Sequence, residues 1–229
     1  MAKQNKSNQV NEREVNVAEA LSKTELFFKE NGKKISYIVA GIIVVVALFY
    51  AYRHFVVIPK YKEAQNQMFV AERNFKQDDF EIALKGDGND MGFEQIIQKY
   101  GNRADNSVYF YAGVCELQLG NDDKAIEYLK KYKSTDIYTK AAANANIGDA
   151  LVNKNQIKDA IPYFESAASE IKNFIAAKYL LKAAMCYEEI GDAKKAIELY
   201  TDIKDKYPQA PEGEDIDKYI SRSQALLNK

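Results

Sequence analysis

The sequence predicts an all-α protein: an N-terminal transmembrane helix, then an α-solenoid of helix pairs, then a C-terminal capping helix. Three observations lead there. Residues 35–52, ISYIVAGIIVVVALFYAY, form an uninterrupted uncharged run. Small residues recur at fixed spacing in three consecutive segments beyond it. Helix breakers are scarce, with 11 Gly and 4 Pro in 229 residues, while hydrophobic residues reach 47%, a composition that excludes wholesale disorder.

Composition also closes several function classes. Lys+Arg is 32 against Asp+Glu 33, a net charge of −1, so no nucleic-acid partner is expected; such a partner calls for a basic domain. Two cysteines are too few for a disulfide-dense scaffold or a four-cysteine zinc site. A single histidine, His54, stands at the membrane edge and reads as an interfacial ring. The chain has no Gly-rich phosphate loop and no Ser/His/Asp arrangement. The expectation is a binding module: no enzyme, no cofactor and no metal.

Segment 1–14 is polar and reads as a disordered tail. Across 15–34 a juxtamembrane amphipathic helix is expected. Val17, Ala20, Leu21, Thr24, Phe27 and Phe28 recur at helical spacing, and Glu19, Lys23, Glu25 and Lys29 fill the other side,. Asn31-Gly32 offers a stop. This helix either docks on the membrane or a membrane partner, or merely extends the anchor.

The anchor itself is read as 35–58, the segment that meets the lipid bilayer. Eighteen residues at 1.5 Å each give roughly 27 Å, close to a hydrocarbon thickness. Lys33-Lys34 and Arg53 bound the run; Arg53 can snorkel, which lets Phe55 to Ile58 lengthen it. Tyr37, Tyr50, Tyr52 and Phe55 lie at the ends, where aromatic rings favour the interface. A cleaved signal peptide fits worse, because the run starts late, is too long, and lacks a small-residue cleavage pattern. Basic residues on the two sides nearly balance, so charge leaves the orientation open.

Beyond Pro59 the order comes from repetition. Segments 106–139, 141–174 and 177–210 superpose on Ala112-Gly113, Ile147-Gly148 and Ala183-Ala184. Seven residues after each pair stand Gly120, Asn155 and Gly191, which tolerate left-handed backbone. Five further on come Ala125, Ala160 and Ala196, then Leu129, Phe164 and Tyr200, with Pro208 closing the third unit. These columns resemble the tetratricopeptide repeat, which makes the expected solenoid, 106–210, an array of three such repeats. Small residues in the first and third columns let paired helices approach, and the large residue is expected to fill the gap between neighbouring pairs. Tryptophan is absent; Tyr109, Asn144 and Leu180 take its place. Pro162 falls early in a second helix, where it costs little.

A degenerate first unit is expected over 60–105, because Ala71, Asp78 and Ala83 keep the same spacing. GDGNDMG, residues 86–92, interrupts its second helix. Asp87, Asn89 and Gly92 match places of an EF-hand loop, but Met91 and Gln98 replace needed ligands, so a plain loop is expected. Residues 211–229 are read as a capping helix, with Ile216, Tyr219, Ile220 and Leu227 on one face. Cys115 and Cys186 share a column with Ala150 and read as buried small hydrophobes.

The resemblance to tetratricopeptide arrays implies a concave groove lined by first helices. Carried over by column, it holds Ser107, Phe110, Val114 and Leu117, then Ala142, Ala145, Asn146, Asp149 and Val152, then Lys178, Leu181, Lys182 and Met185. The family's carboxylate clamp would fall on Phe110, Val114, Asn146, Lys178 and Lys182. Its first half is apolar, so extended apolar polypeptide is the expected ligand.

Phe27-Phe28-Lys29-Glu30-Asn31-Gly32-Lys33 before the span, and Tyr52-Arg53-His54-Phe55 after it, resemble the bacterial ancillary subunit of the Sec translocon. That resemblance implies a single-pass inner-membrane protein, N-terminus in the cytoplasm and repeats in the periplasm. Its partners would be the Sec translocon, periplasmic chaperones and client polypeptides. A structural adaptor of another envelope complex and a cytosol-facing peptide receptor are the alternatives.

Overall fold

The computed structural model describes Glu25 and residues 29–227. The expected tail, 1–14, and most of the amphipathic segment expected within 15–34 lie outside the described residues. The chain divides into two units, Met1–Pro59 and Lys60–Lys229, and the described residues form helices joined by short loops.

In the first unit, α1 covers residues 29–52. The stop expected at Asn31-Gly32 is absent, and helix runs through both residues. Gly32 has open space around it and lies outside the left-handed region. A glycine inside a helix costs only about 1 kcal/mol relative to alanine, which flanking turns offset. The apolar stretch is exposed on every side, with Tyr37 at 76%, Val45 at 66% and Phe49 at 60%. A core helix of a soluble protein would bury one face; this one buries none of its apolar window and is long and apolar enough to cross a membrane. Arg53–Val57 form a π-helical turn, in which Ile58 N–H donates to Arg53 O. Pro59 accounts for it: the ring has no N–H to donate and crowds the carbonyl four residues back, which a wider turn relieves.

The second unit opens with α2 (Ile58–Lys76), α3 (Phe80–Lys85) and α4 (Phe93–Tyr100). Three helix pairs follow: α5 (Ser107–Gln118) with α6 (Asp122–Lys131), α7 (Ile137–Asn153) with α8 (Ile157–Glu170), and α9 (Ala176–Glu189) with α10 (Ala193–Lys206). Each packs on its sequence neighbour, and α11 (Ile216–Leu227) packs on α10.

One turn recurs four times. Asp78, Gly120, Asn155 and Gly191 have φ of 61°, 77°, 59° and 82°. The residue after each donates its N–H to a carbonyl five back: Asp79 to Asn74, Asn121 to Glu116, Gln156 to Leu151 and Asp192 to Tyr187, at 3.1, 2.8, 2.8 and 2.8 Å. This is the Schellman closure, which satisfies helix-end carbonyls through one left-handed residue. Its presence at Asp78 makes α2 and α3 a member of the same series.

The small columns are buried. Ala71, Ala112, Ala160, Ala183 and Ala196 are at most 1% exposed. A Cβ on Gly113 would lie 2.6 Å from Leu129 Cγ, and one on Gly148 would lie 2.6 Å from Phe164 Cε1. The large residue of the fourth column thus packs first against the glycine of its own pair. That differs from the gap-filling between pairs expected from sequence; a glycine leaves a side chain's width of room there. Pro162 faces solvent inside α8, which continues through it.

At the far end Ile216, Tyr219 and Ile220 join a core with Tyr200 and Ile203. Leu227 does not; it is 55% exposed. No further pair covers that side of the last described helix. A polar latch fixes α11 instead. Arg222 Nε donates to Glu188 Oε1 at 2.7 Å, Ser223 Oγ to the same oxygen at 3.2 Å, and Tyr200 Oη to Glu188 Oε2 at 3.1 Å.

Loop 86–92 is a closed excursion. Asp87 Oδ1 accepts from Asn89 and Asp90 N–H at 2.9 and 2.7 Å, and these bonds hold its carboxyl below the usual carboxylate range. A Cβ on Gly92 would lie 2.3 Å from Leu84 O, so the loop's two ends meet at a place only glycine fits. Among the described residues no group of three or more His, Cys, Asp or Glu could hold a metal.

Candidate functional site

The expected groove residues fall on α5, α7 and α9, the first helices of the three pairs. The structure gives them unequal surroundings. Ala145 is buried at 4% exposure and belongs to the core. Ser107, Phe110, Val114, Leu117, Ala142, Asn146, Asp149, Val152, Leu181 and Lys182 are half-buried. Lys178 and Met185 are exposed, Met185 at 45%.

Phe110 is committed in part to packing. Its ring lies 5.3 Å from Tyr132 and 5.8 Å from Tyr111, and with Val114 it rests on the central core. Leu181 likewise leans on the C-terminal core. The apolar strip is therefore shallower than the sequence suggests, because aromatic neighbours close over its floor.

One of the two lysines is internally paired. Lys182 Nζ lies 2.6 and 2.7 Å from the two carboxylate oxygens of Asp149, and 5.6 Å from the centroid of Phe164. Lys178 Nζ stands over the ring of Tyr179 at 4.7 Å. Among the described residues Lys178 is thus the lysine of the expected groove that makes no ion pair, since lysine tolerates an aromatic face and solvent together,.

Neither cysteine offers chemistry. Both are buried and free, and burial pushes the thiols up, to about 12 for Cys115 and about 11 for Cys186. A thiolate, the reactive form, is suppressed at neutral pH. The cavities lie elsewhere. One of about 540 Å³ borders loop 86–92 and α4, and one of about 350 Å³ opens between α6, α7 and α8 beside Tyr132, Asn144 and Tyr163.

Sequence comparison now bears on the family. Two models described as tetratricopeptide repeat match the chain, one at residues 107–135 and 178–210, the other at 141–173. Three stretches of the chain, 107–135, 141–173 and 178–210, are thus similar to tetratricopeptide repeats. No curated protein matches the chain. Among solved structures, a MamA protein crystal structure aligns with TM-score 0.52 at 20% identity over 72% of this chain and 92% of its own. MamA 41-end from Desulfovibrio magneticus RS-1 aligns with TM-score 0.51 at 16% identity over 74% and 96%. At such identities the likeness is one of fold. Tetratricopeptide repeats behind an apolar anchor make this chain a membrane-associated scaffold for protein interaction.

Proposed function

We propose that the chain is a structural adaptor of a cell-envelope complex, with α1 as its hold on the bilayer and the first-helix face as its hold on a partner. The observation that supports this reading is the union of an all-round apolar helix with a repeat array whose inner face is mostly half-buried and largely apolar, with Lys182 tied to Asp149. Such a face suits an extended apolar segment better than a charged terminus. The likeness in fold to the MamA structures, over 72–74% of this chain, is consistent with that reading.

A second reading rests on one specific feature, the FFKENGK stretch at 27–33 with Tyr52-Arg53-His54-Phe55. Under it the protein assists the Sec translocon, keeps its N-terminus in the cytoplasm, and passes emerging chains to periplasmic chaperones. One experiment separates the two. A photo-crosslinking residue at Met185 is activated in intact cells, with the same residue at Lys158, on the exposed side of α8, as the reference. Envelope-assembly proteins among the Met185 adducts support the adaptor. Translocon subunits and chaperones support the second reading. Identical adducts at Met185 and Lys158 overturn the groove for both.

A further inference from the structure

The columns of the repeat leave one place underfilled. Asn144 stands where the tetratricopeptide pattern has tryptophan, and Ala143 precedes it on α7,. One repeat on, Tyr179 and Leu180 occupy the same two columns, and Tyr179 is buried. The shorter side chains of the middle repeat border the cavity of about 350 Å³ between α6, α7 and α8. Its floor is apolar, made of the buried Leu129, Ala143 and Ile147. At about 30 Å³ for each water-sized group, the space takes roughly a dozen non-hydrogen atoms,. That is one large side chain, not a length of main chain.

The rim of this hollow selects charge. Lys130, Lys133 and Lys140 line it, and no acid does. Lys140 is bound by Glu170, whereas Lys130 and Lys133 are exposed and enter no ion pair among the described residues. Acids of the surrounding elements are engaged elsewhere: Glu127 by Lys131, Asp136 by Thr139 N–H at 2.8 Å, and Glu165 by Tyr187 Oη at 2.9 Å. Asp159 on α8 stands outside the lining. The rim is also held in place. Asn106 Nδ2 donates to Lys133 O at 2.8 Å, and the hydroxyls of Ser134 and Thr139 lie 3.0 Å apart. Asn144 Nδ2 donates to Ser166 Oγ at 3.1 Å, which leaves its Oδ1 to act as an acceptor.

An apolar hollow sized for one side chain and rimmed by uncommitted ammonium groups has the form of a pocket for an interface anchor. The buried ring supplies contact area, and charged neighbours supply orientation. Tyr132 and Tyr163 line it too, and their rings favour an aromatic occupant,. Asn144 Oδ1 suits an indole N–H, which is a donor that phenylalanine lacks. Acids beside the anchor meet Lys130 and Lys133, while a basic segment is repelled. We infer that this hollow docks a partner polypeptide by one tryptophan side chain that lies between acidic residues. The site shares no residue with the expected groove, so it does not depend on what the groove holds.

The protein contains no tryptophan, so the indole of a peptide reports alone. The full chain in phosphatidylcholine nanodiscs is titrated into a peptide with blocked termini and one tryptophan between paired aspartates; protein-free nanodiscs are the blank. The expected result is a saturable blue shift, with binding at least about tenfold weaker when lysines replace the aspartates. Asn144→Leu gives the middle repeat the side chain that Leu180 supplies in the last; it fills the hollow and should weaken binding at least about tenfold. Lys130→Gln with Lys133→Gln should weaken binding about 3- to 10-fold and flatten its salt dependence. The same two-charge change at Lys62 and Lys76 should not. All four lysines are exposed, so these variants keep the fold even should Asn144→Leu lose it. Absence of a blue shift, equal binding of the two peptides, equal loss from the two lysine pairs, or full affinity in a folded Asn144→Leu overturns the inference. Tighter binding of a neutral peptide ending in a free tryptophan carboxylate overturns the acidic segment as occupant.

Discussion

Asp149 on α7 and Lys182 on α9 are bound to each other across adjacent repeats, the ammonium within 2.7 Å of both carboxylate oxygens. The pair takes out of use one of the two groove lysines that a carboxylate ligand would need. Asp149→Asn should release Lys182. Affinity for a peptide ending in acidic side chains and a free carboxylate should then rise about 2- to 5-fold, the range of a partly exposed pair, and more at low salt. Affinity for an uncharged apolar peptide should stay level. Titration calorimetry with the two peptides decides it, and a fall in both affinities would show that Asp149 itself contacts the ligand.

Gly148 meets Phe164 more closely than any side chain permits. Gly148→Ala should cost about 1–3 kcal/mol, since the ring it displaces is fully packed. Lys158→Ala, exposed on α8, should cost under about 0.5 kcal/mol. Urea unfolding of the two variants measures both. Equal small effects would mean that the ring can step aside and that the column is loose.

The latch on α11 has a pH signature. The Arg222 guanidinium, helped by Tyr200 and Ser223, holds the Glu188 carboxyl below its ordinary range despite its burial. A depressed folded value stabilises the fold above the unfolded value of about 4.3 and loses that stabilisation as pH falls through the folded value. The stability gap between wild type and Glu188→Gln should therefore be full at neutral pH and shrink steadily below about pH 4. A gap that stayed constant down to pH 2 would remove Glu188 from the account.

Orientation in the membrane can be read chemically. Cys115 and Cys186 are buried with raised thiol pKa values, so the native protein gives little background. Under the translocon reading, Lys158→Cys should react with an impermeant thiol reagent once only the outer membrane is opened. Ser7→Cys should not. The reverse pattern would favour a cytosol-facing receptor.

Much of the array was legible in the sequence because its constraints are local. A left-handed turn residue selects Gly, Asn or Asp, and tight helix contact selects Gly or Ala, so Asp78, Gly120, Asn155 and Gly191 announce the register. What sequence did not reveal depends on distant partners. Asp149 and Lys182 are 33 residues apart, and Glu188 and Arg222 are 34; each looks like an ordinary surface charge until the helices stack. Ala145 shares its column with the half-buried Phe110 and Leu181, yet lies fully buried because neighbouring helices close over it. Asn31-Gly32 has the composition of a helix end and is overridden by the helix on either side.

Loop 86–92 has a consequence for the phase of the array. Phe93 and Ile96 are buried, as are Phe164 and Ala167 in α8 and Tyr200 and Ile203 in α10. Counted from Ala83, Ala160 and Ala196, Phe93 and Ile96 arrive six positions late. The spacing from Ala71 to Gly113 is 42 residues, against 35 from Gly113 to Gly148 and 36 from Gly148 to Ala184. The phase offset is six against both later units and the excess in unit length is six to seven, so the loop behaves as a six-residue insertion into a unit of otherwise ordinary length. Excising six of its seven residues should rejoin α3 and α4 as one helix with its apolar face unrotated. Excising five or seven should turn that face by about 100° and unfold the unit. Circular dichroism and thermal melts of the three deletions would distinguish an inserted loop from one on which the fold depends.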